Sequence, residues 1–151
     1  MIEKAVMNYP GYSAHDVIFD FAICMDCAMA FQKKMSKSSR AAIEKYMTEQ
    51  VDFQKRSDAL MKGDKTIVDC LNQCMISGER RENCEEYQMV AFCRGEKIHK
   101  SVPPYVISHH VLKELSELIS DQTQDDMDGF YKKHFSPSPG LFEPDPKLIL
   151  I

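Results

Sequence analysis

The stretch Val17-Ile18-Phe19-Asp20-Phe21-Ala22-Ile23-Cys24-Met25-Asp26-Cys27 supports two different backbones. At steps of three and four, Val17, Ile18, Phe21, Ala22, Met25, Ala28 and Met29 line one helical face that continues to Met35. At period two, Val17, Phe19, Phe21 and Ile23 share one face of a strand. The residues just before decide between them. Tyr9-Pro10-Gly11-Tyr12 is a turn signal, and Ser13-Ala14-His15-Asp16 sets a Ser with an acid three residues on, a variant of the helix-capping box. The helical reading therefore takes the stretch, and it leads to the expectation of an all-α fold.

Working outward, Ser36 is a second cap, and a helix runs from Ala42 and Ile43 through Tyr46 and Met47 toward Leu60 and Met61, with a break near Thr48. Gly63, Gly78 and Gly95 each follow an apolar-periodic segment. They close that helix, a third over Thr66 to Ile76 and a fourth over Glu79 to Cys93, because glycine adopts the left-handed C-terminal conformation freely. Val102-Pro103-Pro104-Tyr105 is an extended connection. Ser108 and Ser120 cap two more helices, the first apolar at Val111, Leu112, Leu115, Leu118 and Ile119, the second carrying Met127, Phe130 and Tyr131. The expectation is a single compact domain of about six or seven short helices over residues 1–135, including two Ser-capped hairpins. Residues 136–151 carry four prolines and read as an extended arm closing with Lys147-Leu148-Ile149-Leu150-Ile151. A small β element is expected only at 1–8 or 148–151.

The two hairpins resemble each other at an offset of 84 residues: Phe31 to Met47 aligns with Leu115 to Tyr131. Ser36 falls on Ser120, Ser39 on Thr123, Met35 on Ile119 and Ile43 on Met127. Ser/Thr capping recurs by convergence, so similar hairpins without common descent are the simpler account.

Composition excludes several classes. The chain has 151 residues, 44% apolar and 28% charged, which fits a globular domain and not a low-complexity or disordered one. With 19 Lys and Arg against 23 Asp and Glu, the net charge is −4. Duplex nucleic acid binding needs a basic stripe, whereas Lys33, Lys34, Lys37 and Arg40 are followed by Glu44, and Arg80–Arg81 are flanked by Glu79 and Glu82. No nucleic-acid partner is expected. Asp20 and Asp26 interrupt the longest apolar stretch, so no membrane span is expected, and Met1-Ile2-Glu3-Lys4 does not open a signal peptide. The expected compartment is the cytoplasm, where the six Cys would be thiols or metal ligands.

Cys24 and Cys27 form a C-x-x-C, and Cys70 and Cys74 are spaced i, i+4. On helices each pair shares a face, and two such pairs meeting could close a four-sulfur site for zinc. Core packing is the competing account, since free Cys is among the most buried residue types. A third account uses the period-two reading. A strand running into C-x-x-C at a helix N-terminus would resemble thioredoxin, with the helix dipole lowering the pKa of Cys24 and Pro103-Pro104 asked for a cis bond. The likeness is confined to the C-x-x-C. The remaining chain offers no further thioredoxin strands, and we make no family assignment from it.

His109 and His110 sit on adjacent faces and read as exposed polar residues. No nucleophile elbow, P-loop, Rossmann glycine pattern or HExxH is present. Leu148, Ile149, Leu150 and Ile151 form an aliphatic patch that a soluble protein covers, either on its own domain or on a neighbouring subunit. The sequence thus favours a non-enzymatic helical protein acting through protein–protein contact or self-association at Leu148–Ile151. The first alternative is a zinc protein using Cys24, Cys27, Cys70 and Cys74, and the second a thiol–disulfide oxidoreductase using Cys24 and Cys27.

Overall fold

The computed structural model describes residues 2–7, 16–95 and 97–134. It overturns the all-α expectation. Among the described residues there are six α-helices, but also a four-stranded antiparallel sheet of order β2-β1-β3-β6 and a two-stranded ribbon, β4-β5. The chain order is β1 (Ile2–Met7), β2 (Asp16–Ala22), α1 (Met25–Lys34), α2 (Lys37–Gln50), α3 (Phe53–Lys62), α4 (Ile67–Cys70), β3 (Glu86–Ala91), β4 (Cys93–Arg94), β5 (Lys97–Ile98), β6 (Tyr105–Ser108), α5 (His109–Glu117) and α6 (Asp121–His134). Residues 136–151, read as an arm, lie outside the described residues.

Three corrections share one cause. Asp16–Ala22 is a strand paired antiparallel with β1, from Ile2↔Ala22 to Met7↔Asp16 with a register shift between Ala5 and Val6. The period-two pattern therefore prevails, and Ser13, the supposed helix cap, lies outside the described residues. Glu79 to Cys93 is not a helix: a 3-10 turn at Arg81–Asn83 leads into β3, which pairs with β1 on one side and β6 on the other. Tyr105–Ser108 is not a loop but a strand with every residue buried. In each case pairing with a distant segment overrides local spacing, which is why strand propensity is so dependent on context. The Thr66–Ile76 helix also stops early. Thr66 and Asp69 form a capping box for a single turn that ends at Cys70.

Helices α1, α2, α5 and α6 pack against the β3–β6 side of this sheet. Phe31, Met35, Ile43 and Met47 from α1 and α2 meet Val111, Leu115, Ile119 and Met127 from α5, its C-terminal turn and α6. Val90 of β3 and Ile107 of β6 join that cluster from the sheet. Tyr87, three residues before Val90, and Val106, next to Ile107, face the other way and pack with Cys84, Leu71 and Met89. Strand alternation thus sends successive residues into two separate cores.

The helical hairpins α1–α2 and α5–α6 clasp each other through their turns. Ser36 Oγ accepts from Ser39 N–H at 3.0 Å, and Ser120 Oγ accepts from Thr123 N–H at 3.3 Å. These are ordinary N-caps. The second half of each capping box is exchanged: Ser36 N–H donates to Thr123 Oγ1 at 3.1 Å, while Ser120 N–H donates to Ser39 Oγ at 3.0 Å. Ser39 and Thr123 are each 1% exposed, and their hydroxyl oxygens lie 3.3 Å apart. The contact is reciprocal, so the residues related by the 84-residue offset are also related in space by an approximate two-fold.

Candidate functional site

The two most accessible thiols stand where β2 hands over to α1. Cys24 is the N-cap of α1 in extended backbone, with φ −72° and ψ 155°. Its Sγ accepts from the Cys27 backbone N–H at 3.4 Å. A sulfur thus occupies the place of the oxygen in a Ser or Asp cap, at the end of the helix where unpaired N–H groups and the dipole favour negative charge. Both thiols are exposed and neither is in a disulfide. Hydrogen bonding from the Cys27 backbone N–H, then from the Cys27 thiol, draws the Cys24 thiol below its ordinary value. The thiol of Cys27 is pushed the other way by the same partnership, since ionised Cys24 holds its proton. One helix turn therefore carries a thiol that ionises more readily than usual beside one that holds its proton.

The opposite end of α1 is fixed. Phe31 is 1% exposed and stacks at 47° on Phe130 of α6, with ring centroids 4.8 Å apart. Met25 and Met29, at the dithiol end, are about half exposed.

The structure treats the second cysteine pair differently. Cys70 closes α4, whereas Cys74 lies in an irregular segment bridged in parallel to Val106 of β6, so the two do not share a helix face. Both are buried. Cys74 Sγ accepts from Ser108 N–H at 3.4 Å. Burial opposes ionisation of Cys74, but hydroxyl and backbone donors of Ser108 and Ser77 outweigh it and hold this thiol below its usual value. Burial, followed by the nearby Glu79 carboxylate, pushes Cys84 up to about 12. Among the described residues, no group of three or more His, Cys, Asp or Glu side chains is placed to hold a metal ion.

Sequence spacing missed one constellation. His110 Nδ1 lies 3.3 Å from Glu79 Oε2, and His110 Nε2 lies 3.4 Å from Ser108 Oγ. Glu79 Oε2 is buried and has no aligned hydrogen bond, so its contact with His110 is one of proximity alone. The order Ser–His–Glu is that of a hydrolytic triad. Here Ser108 is 1% exposed, which puts its hydroxyl out of reach of a substrate. We read these residues as a polar seam joining the 74–80 segment to the start of α5. His110 and Glu79 are 31 positions apart, and no local pattern links them.

Leu148, Ile149, Leu150 and Ile151 lie outside the described residues. So does any strand at 148–151, while β1 occupies Ile2–Met7. Among the described residues no peptide bond is cis, including those at Pro103 and Pro104. No helix among them is long and apolar enough to cross a membrane. Compared with family models, curated proteins and solved structures, the chain shows no significant match to any of them.

Proposed function

We propose that the protein carries out thiol–disulfide exchange, with Cys24 as attacking thiolate and Cys27 as resolving thiol. The observation that carries this reading is the position of Cys24: an exposed N-cap whose sulfur receives the Cys27 backbone N–H. The Cys24 thiolate attacks one sulfur of a substrate disulfide. A Cys24–substrate disulfide forms, the substrate S–S bond breaks, and the leaving sulfur departs as a thiolate that takes a proton from water. Cys27 then loses its proton and attacks Cys24 Sγ, which releases the second substrate thiolate and closes a Cys24–Cys27 disulfide. Two electrons pass to the substrate, and an external dithiol returns them. The rate depends on thiolate fraction and on access, and the geometry favours both at Cys24. The cytoplasm, where thiols are kept reduced, is the setting we propose.

The competing accounts have less support. A zinc site would need the two Cys pairs to converge, whereas Cys70 closes α4 and Cys74 lies in an irregular segment, both buried and not on one helix face. Self-association through Leu148–Ile151 rests on sequence alone.

The test uses oxidised glutathione as the disulfide and dithiothreitol as the electron source. Cys24→Ser is expected to abolish turnover. Cys27→Ser, given oxidised glutathione with dithiothreitol left out, is expected to stop at the first step and accumulate a glutathionyl adduct on Cys24, visible by mass spectrometry. A Cys24→Ser variant that keeps the wild-type rate overturns the proposal.

A further inference from the structure

The two edges of the main sheet are treated unequally. On the β6 side, the 74–75 segment covers the edge: Cys74 bridges Val106, and Met75 N–H donates to Val106 O at 2.9 Å. On the β2 side, no strand or bridge pairs with the outer edge among the described residues. β2 has seven residues, of sequence Asp-Val-Ile-Phe-Asp-Phe-Ala. The register shift leaves Ile18 of β2 as a bulge opposite Ala5 and Val6, one of the devices that blunt an edge, while Phe19–Ala22 beyond it pairs regularly with β1 and offers its outer edge as a template for another strand.

We propose that the outer edge of β2 is a docking edge, filled in cis by Lys147–Ile151 as a fifth strand. Three features of the sequence and the fold select this occupant. First, the backbone chemistry fits. Four prolines, at 137, 139, 144 and 146, deprive the preceding segment of donors, whereas 147–151 keeps every N–H and consists of β-compatible aliphatics after a Lys. Second, the tether reaches. Twelve residues separate His134 from Lys147, which span about 40 Å when extended. The path through the last turn of α6, the Phe130–Phe31 contact and the length of α1 bounds the distance from His134 to Ala22 at about 35 Å. Third, the charges are opposite: β2 contains Asp16 and Asp20, and the run opens with Lys147. The docked strand pairs an open edge and gives the aliphatic run a place to be covered. This inference does not depend on thiol chemistry.

Hydrogen exchange of the full chain, read by mass spectrometry over residues 16–22, tests it against a variant lacking residues 147–151. Removal is expected to speed exchange in β2 at least tenfold, to leave β3 and β6 unchanged, and to leave a monomeric mass in both proteins. The synthetic peptide Lys-Leu-Ile-Leu-Ile added to the shortened chain restores protection. If the shortened chain does not fold, the full-length Leu150→Pro variant, which deletes one strand donor, reports the same change. Unchanged β2 exchange in the truncated or Leu150→Pro protein overturns the proposal. A wild-type dimer that becomes monomeric on truncation also overturns it, because the run would then serve a second copy.

Discussion

Replacing Thr123 by Val removes one oxygen and almost no volume. That oxygen accepts the Ser36 N–H at 3.1 Å and the Ser120 hydroxyl at 3.0 Å, and lies 3.3 Å from Ser39 Oγ. The two hydroxyls can rotate toward each other, since Ser39 Oγ and Ser120 Oγ are already 3.4 Å apart. The Ser36 N–H cannot rotate. It remains fixed by the start of α2 and is left without an acceptor. A stranded donor of this kind costs about 1–3 kcal/mol, and the methyl that replaces the hydroxyl offsets only part of that. We expect Thr123→Val to destabilise by about 2 kcal/mol, which for a domain of this size lowers Tm by roughly 4–8 °C. Ser39→Ala strands the Ser120 N–H in the mirror-related way and is expected to cost a similar amount. The two residues touch, so the double variant is expected to cost less than the sum, with a coupling of at least ~0.5 kcal/mol. Urea unfolding of the four proteins measures all three quantities. A Thr123→Val cost under ~0.5 kcal/mol, or a coupling of zero, would refute the exchanged capping box.

Four further outcomes follow from the same structure. The leading cause of the lowered Cys24 pKa is the Cys27 backbone N–H, so Cys27→Ala is expected to keep it low. Iodoacetamide labelling of that variant, rising with pH as thiolate forms, should show an inflection below that of an unstructured Cys peptide; an inflection equal to the peptide's would contradict the cap. In the native wild type, Cys84 should label last, because it stays protonated until about pH 12. Gly63 closes α3 at φ +83° in open space, so Gly63→Ala should cost about 1 kcal/mol through backbone strain, and Gly63→Asn less. Chemical denaturation checks that ranking, and also Phe31→Ala, where loss of a buried ring is expected to cost about 3–5 kcal/mol.

What was legible in the sequence divides along the sheet. Where a helix buries one face and shows the other to water, spacing is informative: α5 alternates buried Val111, Leu112 and Leu115 with exposed Lys113 and Glu114. β3 and β6 carry no such contrast. Tyr105–Ser108 is buried on both faces, and β3 sends Tyr87 to one core and Val90 to the other. Without a solvent-facing partner set, the period-two signal disappears into a general apolar run that fits a helix equally well. In the Val17–Cys27 stretch both periods were present, and the choice fell on a local cap at Ser13 when pairing with β1, encoded elsewhere in the chain, was decisive. The candidate thiols were visible because C-x-x-C is contiguous. Their poise was not, since it depends on which of two secondary structures precedes Cys24. Had Val17–Ile23 been helical, Cys24 would lie in mid-helix with the Cys27 N–H already bonded to a carbonyl. As a strand, it leaves Cys24 to cap.

That dependence links the fold to the chemistry. A cap-bound thiolate is useful only if the helix end stays in place while the sulfur remains open to a partner, and these demands conflict on a short helix. α1 has ten residues, near the length at which an isolated helix is marginal in water. Its stability must therefore come from packing, and the large contacts lie toward its far end: Phe31 against Phe130, Met35 in the common core, and Ser36 in the clasp with Thr123, with only Ile23 and the small Ala28 buried beside the dithiol. The dithiol end contributes little burial, with Cys24, Met25 and Cys27 all exposed. The clasp thus acts on the site from the far end of the helix, about 17 Å away along its axis. Thr123→Val should accordingly leave the Cys24 pKa lowered in molecules that remain folded, since the Cys27 N–H is untouched. It should raise the fraction of chains in which α1 frays, and iodoacetamide labelling of the buried Cys74 and Cys84 would then rise along with that of Cys24. If labelling of Cys24 alone changed, the dithiol end would be held by something other than the hairpin clasp.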